Sequence, residues 1–538
     1  MLRERPLSIL VIAVLSLLGG MAVYYAMAWG PWAFSDGVGY IVSTKNLLNG
    51  VGLGLIKPSG TFEPLVSHPP LYPLTLAFAT QFTGNVLEAG RWVDSIALSA
   101  LIFSVGLLTL KITSSSWASS TSAVLLLVTP SLLIAFTSAM AEPLFILCSF
   151  TGTLLMVSHV QKQRRAKWVG SALLIGLGTM ARYPAIAFLP ANLILLILYS
   201  RRTKRSWLPK ATAYSGIALA PLIAFLIWSF TIREAGLPKA LTPQLDLANK
   251  LQVFIQRVAQ VAWTWKPIGS EAIGLVKPLA SRLSGVEIFT ALMYGLCLLA
   301  GVLFLFTSKK RNSSTANEDR PAALLAAAWI SVSLCYMLFF LVIYLGSYPT
   351  PDIDTRILLP VQICGVLLFV ALLLFFSERW PTKIWVQIVI GAMTLLFAGG
   401  YLLLATDILS GIHRTGLGYT SKSWRDSETL QAIKDLPGET PLISNEPMPI
   451  LLYYHIWPME IEEISLSQPQ DALLPFGNGG TTPEEIFRVG VARLILFDTF
   501  ESQVRSVYGD RHQERLETFF EGLTPIFTGE DGVIYRYR

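Results

Sequence analysis

Charge is scarce in this chain. Asp, Glu, Lys and Arg make up 14% of its 538 residues, where a soluble protein carries about 25%. Most of the sequence must therefore lie where a charge is costly. Cysteine is rarer still. Cys148, Cys297, Cys335 and Cys364 each sit alone inside an apolar run. They form no CxxC pair for zinc or redox chemistry and read as small hydrophobes, silent about compartment. The five histidines, His68, His159, His413, His455 and His512, are scattered, none paired at metal-ligand spacing. A Walker loop, a GxSxG elbow and an HExxH helix are all missing. Aromatic–basic interleaving is missing too, which excludes single-strand nucleic-acid binding. No internal repeat is visible, which argues against a transporter built from inverted halves.

What fills the chain is apolar. Runs long enough to cross a bilayer, roughly 20 residues each, fall at 8–30, 91–111, 117–137, 140–159, 208–231, 286–307, 322–346, 357–377 and 382–406. The stretch 168–200 is too long for one span. It is interrupted by Ala181-Arg182-Tyr183-Pro184, and a charge beside a proline predicts a tight hairpin of two short helices. The total is about eleven transmembrane helices. Ala26-Met27-Ala28 resembles a signal-peptidase site, but the apolar region before it is longer than a signal h-region, so an uncleaved first helix is expected.

The positive-inside rule supports this count. With the N-terminus in the cytoplasm, Lys111, the run Lys162 to Lys167, the run Arg201 to Arg205, Lys309-Lys310-Arg311, and Arg379 with Lys383 all fall inside. That agreement needs the split at Arg182. The fold class expected is a polytopic α-helical membrane protein with a small C-terminal α/β domain. Residues 1–406 form the membrane domain, with outer loops 31–90 and 232–285, and 407–538 form the extracytoplasmic domain. The tail is polar and alternates helix-like and strand-like pieces, among them Pro441 to Ser444, Pro447 to His455, Arg493 to Asp498 and Gly532 to Tyr537.

Ionisable residues near membrane depth are expensive and usually functional. Asp36 follows the first span, in Ser35-Asp36-Gly37-Val38-Gly39-Tyr40. It reads either as a helix cap or as a working carboxylate, and the glycines on both sides of Val38 suit a backbone that approaches another group closely. Glu142, in Ala141-Glu142-Pro143-Leu144, stands where one span turns into the next, at a helix start. Arg182 marks the hairpin tip. Asp354 and Arg356 precede another span. On the predicted topology, two arginines and two or three carboxylates share one membrane face. An arginine binds phosphate as a planar fork, and a carboxylate can take the proton from a hydroxyl. The mixture suits transfer from an anionic donor that lies within the membrane.

These residues, in this order, resemble the GT-C superfamily of membrane glycosyltransferases, in the branch of the dolichyl-phosphate-mannose protein mannosyltransferases and the aminoarabinose lipid A transferases. The matching pieces are Asp36-Gly37-Val38-Gly39-Tyr40 with Asn46-Leu47-Leu48-Asn49-Gly50, then His68-Pro69-Pro70-Leu71-Tyr72-Pro73. They continue with Ala141-Glu142-Pro143-Leu144-Phe145, Gly176-Leu177-Gly178 leading to Arg182, and Asp354-Thr355-Arg356 before Leu359-Pro360. The resemblance implies an inverting glycosyltransferase in the plasma (inner) membrane. It would use a polyprenyl-phosphate-linked sugar and a lipid, glycan or protein acceptor on the extracytoplasmic face. It makes Asp36 the catalytic carboxylate. Many members have an acidic pair there, whereas Gly37 follows here, and a divalent metal is a candidate cofactor with no ligand set of its own in the sequence. Glu142 is assigned to the catalytic group, and Arg182, Arg356, Asp354, Tyr40, His68 and Lys266 to substrate binding. Trp263 and Trp265, beside Lys266, read as interfacial anchors of an outer-loop lid. The rival readings are a transporter or flippase for an anionic or lipid-linked substrate, and another polyprenyl-glycan enzyme such as an O-antigen polymerase or ligase.

Overall fold

The computed structural model describes residues 5–202, 206–232, 247–266, 321–347, 350–438, 440–461 and 492–537. The apolar run 286–307 and most of the loop 232–285 lie outside them.

Seven described helices are long and apolar enough to cross a membrane: α1 (Pro6–Ala26), α4 (Val86–Thr113), α7 (Glu142–Lys162), α10 (Leu208–Ile232), α12 (Pro321–Gly346), α13 (Thr355–Arg379) and α14 (Ile384–Thr415). An eighth is broken: α5 (Ser116–Val128) and α6 (Pro130–Phe136) meet at 63°. The break falls at Pro130, whose ring cannot continue the amide ladder of α5. Between them stand α2 (Ser35–Leu48), α3 (Leu71–Thr83), α8 (Arg165–Ala181), α9 (Phe188–Arg202) and α11 (Leu247–Thr264). The stretch 168–200 divides as expected. The chain leaves α8 at Arg182 in extended conformation, makes a 3-10 turn over Tyr183–Ala187, and enters α9.

The chain separates into two compact units. The first comprises Met1–Ala26, Val66–Thr75 and Arg91–Ile412, and the second Met27–Leu65, Leu76–Gly90 and His413–Arg538.

In the first unit, helices approach each other over small residues, as apolar association in a bilayer requires. A Cβ on Gly20 of α1 would stand 2.1 Å from Ser99 Oγ and 2.8 Å from the Ser95 carbonyl oxygen of α4. The second contact is backbone and cannot swing away. Gly20→Ala is therefore expected to destabilise the chain by about 1–3 kcal/mol, the usual cost of overpacking. A thermal melt in detergent measures it, and an unchanged melting temperature contradicts this contact. Helix α11 packs against α12 and α13. Phe254, Val261, Ala262 and Trp265 bury themselves with Phe340, Tyr344 and Leu358, and the Tyr401 hydroxyl donates to the Trp265 carbonyl. Trp265 is thus a core residue and not an interfacial anchor. An indole flanked by Val261 and Ala262 one turn back belongs to the apolar stripe of its helix.

In the second unit, β1 (Gly54–Ile56) and β2 (Phe62–Pro64) form an antiparallel hairpin. The described residues after His413 carry a five-stranded sheet of order β4-β3-β5-β7-β6, built from β3 (Leu442–Ser444), β4 (Met459–Glu460), β5 (Arg493–Phe497), β6 (Leu523–Gly529) and β7 (Gly532–Tyr537). The first three are parallel to one another and the last two antiparallel. The apolar run Leu494-Ile495-Leu496-Phe497 makes β5 a central strand buried on both faces. Ile495 and Phe497 pack with Leu430 and Ile450, and Leu494 and Leu496 with Phe500 and Val504. Helices α15 (Pro447–Tyr454), α16 (Thr499–Tyr508) and α17 (His512–Phe520) flank the sheet.

The segments that follow α1 and α14 are stitched together within this unit. Trp29 Nε1 donates to the His413 carbonyl at 3.1 Å, Thr420 Oγ1 to the Pro31 carbonyl at 2.8 Å, and the Tyr419 amide to Ala33 at 2.9 Å.

Candidate active site

Glu142 is the first residue of α7, with Pro143 next to it in the first turn, where no amide hydrogen is needed. Its side chain is 3% exposed. A carboxylate this deep requires compensation, and two arginines supply it. Arg182 Nη1 donates to Glu142 Oε1 in a close ion pair, and Arg356 Nε stands 3.4 Å from the same oxygen. Arg182 arrives because the chain breaks there between α8 and the 3-10 turn. Arg356 arrives in the first turn of α13, whose N-cap is Asp354. One Asp354 oxygen accepts from the Ile357 amide at 2.7 Å, and the other lies 3.7 Å from Arg356 Nε. The sequence-predicted residues Glu142, Arg182, Asp354 and Arg356 thus meet in one cluster, drawn from three points far apart in the chain.

Two guanidiniums face one buried carboxylate, while Asp354 is 47% exposed and occupied with its cap. Arg356 Nε is buried without a hydrogen-bond partner, yet the Arg356 side chain as a whole is 36% exposed. The ion pair with Glu142 therefore orients Arg356 without saturating it, and part of its fork remains open to an anion.

A second buried carboxylate went unnoticed in the sequence. Asp94, on α4, is fully buried. It accepts from the Tyr72 hydroxyl at 3.3 Å, and its Oδ1 has no hydrogen-bond partner. Tyr72 belongs to the His68-Pro69-Pro70-Leu71-Tyr72-Pro73 turn and is itself fully buried. The available signal was an acidic residue inside the apolar run 91–111. His68 pairs locally, its Nδ1 lying 2.9 Å from Ser67 Oγ.

Asp36 lies in the first turn of α2, half-buried, in the second unit. The N-cap position is taken by Phe34, whose ring accepts nothing, so the capping role open to Ser35 or Asp36 is not the one used. Tyr40, one turn on, is 5% exposed. The close backbone approach expected of the glycines is not found at Gly39: an added Cβ would meet nothing within 4 Å. Gly39 is three residues from Asp36 and shares its helix face, so open space adjoins the carboxylate's side of α2. The helix is fixed from its far end. Asn46 Nδ2 donates to the Gly54 carbonyl at 2.8 Å, and Lys45 Nζ donates to the Leu452 carbonyl at 3.3 Å and lies 3.2 Å from His455 Nε2. Burial lowers the affinity of Lys45 for its proton, and burial and then the Lys45 charge do the same for His455. A neutral His455 can accept from Lys45.

Lys266 lies two residues beyond the end of α11, its ammonium 4.2 Å from the centroid of the Trp263 ring; desolvation lowers its proton affinity. Among the described residues no three of His, Cys, Asp and Glu converge to hold a metal ion. The protein-derived donor set for a divalent ion is not found there.

Two solved structures share this architecture along nearly the whole chain. One is ArnT from Cupriavidus metallidurans bound to undecaprenyl phosphate, 12% identical, with 97% of each chain covered and a TM-score of 0.51. The other is the Archaeoglobus fulgidus oligosaccharyltransferase in complex with Zn and sulfate, 11% identical, covering 98% of this chain and 73% of that one, with a TM-score of 0.53. At these identities the likeness is one of fold: the chain shares the fold of these two proteins. Residues 67–228 match the family model described as dolichyl-phosphate-mannose-protein mannosyltransferase, a segment that includes Tyr72, Asp94, Glu142 and Arg182. No curated protein matches the sequence.

Proposed function

We propose that the chain is an inverting glycosyltransferase that moves a sugar from a polyprenyl-phosphate donor to an acceptor hydroxyl on the extracytoplasmic face of the membrane. The observation that carries this reading is the convergence of Arg182 and Arg356 on the buried Glu142 carboxylate. A polyprenyl phosphodiester carries its charge just outside the acyl region, and drawing it into a partly dry site without a cation is costly. Arg182 and Arg356 hold that phosphate. Glu142 positions both guanidiniums, and Asp354 fixes the start of the helix that carries Arg356. One structure of the shared fold is bound to undecaprenyl phosphate, a lipid of the class proposed here for the donor.

In the reaction the acceptor oxygen attacks the anomeric carbon from the face opposite the phosphate. The bond from that carbon to the phosphate oxygen breaks, and the polyprenyl phosphate leaves with the electron pair. Asp36 takes the acceptor proton. The arginines stabilise the negative charge growing on the leaving phosphate, where preorganised donors contribute most.

The donor clamp has its own test. Lysine keeps the charge but cannot reproduce the fork. Arg182→Lys and Arg356→Lys should each reduce the rise in melting temperature that added polyprenyl phosphate confers, by more than a surface charge swap does. If the lipid-induced shift is unchanged in both variants, other groups hold the donor phosphate.

A further inference from the structure

A cavity of about 420 Å³ in the second unit belongs to none of the machinery above. It is lined by Ala28, Trp29, His413, Arg414 and Arg425. Ala28 and Trp29 lie two and three residues beyond the end of α1, and His413 and Arg414 form the last turn of α14. Both helices are candidate spans, so the cavity opens where two spans leave the bilayer. Trp29 and Trp32 at that exit are the residue type that anchors at headgroup depth.

The lining is cationic. Arg414 and Arg425 are both exposed, and no carboxylate is among the lining residues. Lys422 Nζ and the Arg425 guanidinium carbon each lie 5.9 Å from the centroid of the Trp29 ring. The geometry is held in place. Arg425 Nη2 donates to the Trp29 carbonyl, and Trp29 Nε1 to the His413 carbonyl. The Arg425 guanidinium also hydrogen-bonds the Tyr453 side chain, so two of its five hydrogens are engaged and the others can still reach an anion. On the topology read from the basic runs, this end of α14 faces outward, where positive charge has no topogenic use. Asp426 follows Arg425 in sequence but does not line the cavity.

We infer that this cavity binds the phosphate of an anionic lipid headgroup at the membrane surface, as a site separate from the proposed donor clamp. Arginine forks match phosphate oxygens bidentately, and each basic residue at a lipid surface adds an increment of attraction. The tryptophan supplies an apolar floor for the glycerol or sugar attached to the phosphate.

The test uses the full chain in nanodiscs of phosphatidylcholine alone and of phosphatidylcholine with phosphatidylglycerol, with lipid retention read by native mass spectrometry. The wild type should retain phosphatidylglycerol preferentially. Arg414→Gln and Lys422→Gln should each weaken that retention about fivefold, with the response to polyprenyl phosphate kept. Arg425→Gln should weaken it further, but Arg425 also braces Trp29, so the other two variants carry the test if that one fails to fold. Equal retention of the two lipids by the wild type overturns the proposal, as does unchanged retention in both Arg414→Gln and Lys422→Gln. A third arm adds inorganic phosphate in lipid-free detergent. If it raises the melting temperature as much as phosphatidylglycerol does, the ligand is free phosphate and the headgroup assignment falls.

Discussion

Asp36→Asn should lower sugar transfer by about 10²–10⁴-fold, the range that a lost general base typically costs, while the chain folds and inserts as before. The carboxamide keeps the size of the side chain and most of its hydrogen bonds but cannot take the acceptor proton. Folding should survive because the far end of α2 is tied through Asn46 and Lys45, and the carboxamide can keep hydrogen bonds made by the carboxylate. Donor binding should survive as well, since the proposed phosphate ligands are arginines on other elements. The expected result is a variant with the wild-type melting temperature, the wild-type shift on adding polyprenyl phosphate, and almost no turnover. Wild-type transfer by such a variant removes Asp36 from the mechanism.

Glu142→Ala should have the largest effect on stability. Removing one partner of a buried ion pair costs about 3–5 kcal/mol because the other is left buried and uncompensated. Here a quarter of the Arg182 side chain and about a third of Arg356 remain exposed, so solvent recovers part of the cost and the loss should fall near the lower end. A second consequence separates a purely structural cluster from a donor site. If Arg182 and Arg356 bind the donor phosphate, that phosphate can substitute for the missing carboxylate. Added polyprenyl phosphate should then raise the melting temperature of Glu142→Ala more than that of the wild type. If the lipid stabilises the variant less than the wild type, or not at all, the cluster is structural and the clamp is elsewhere.

The cluster was legible in part, and the reason is physical. Charges at membrane depth are rare because they are costly, so Glu142, Arg182 and Arg356 stand out against apolar flanks. Arg182 was also legible as a break, since a proline two residues later cannot extend α8. What the sequence did not contain was the pairing. Nothing along the chain says that Arg182 and Arg356 share one oxygen of Glu142, because that depends on how α7, the α8–α9 break and α13 pack. Asp94 escaped notice for the opposite reason: one carboxylate in a long apolar run reads as an interruption of the span, and only its fully buried position beside Tyr72 reveals it. In the polar tail, β3, β5 and β7 were visible as short β-branched or aromatic runs. Strand β6 has no such signal, with Pro525 inside it and Gly522 before it; it tolerates the proline because it lies at the edge of the sheet. The tryptophans of α11 misled because an indole near a span end serves equally as an anchor or as core, and only the packing of Trp265 against Phe340 and Leu358 distinguishes them.

The central claim is chemical: a sugar leaves its lipid. The most direct measurement supplies the purified chain, reconstituted in proteoliposomes, with a polyprenyl-phosphate sugar labelled on the sugar, and follows the lipid by chromatography. The account predicts that unsugared polyprenyl phosphate accumulates with the wild type once the acceptor is present, and fails to accumulate with Asp36→Asn. Labelled lipid that crosses between leaflets intact, with no polyprenyl phosphate released by any acceptor-containing membrane extract, would contradict it and make the chain a carrier of its substrate.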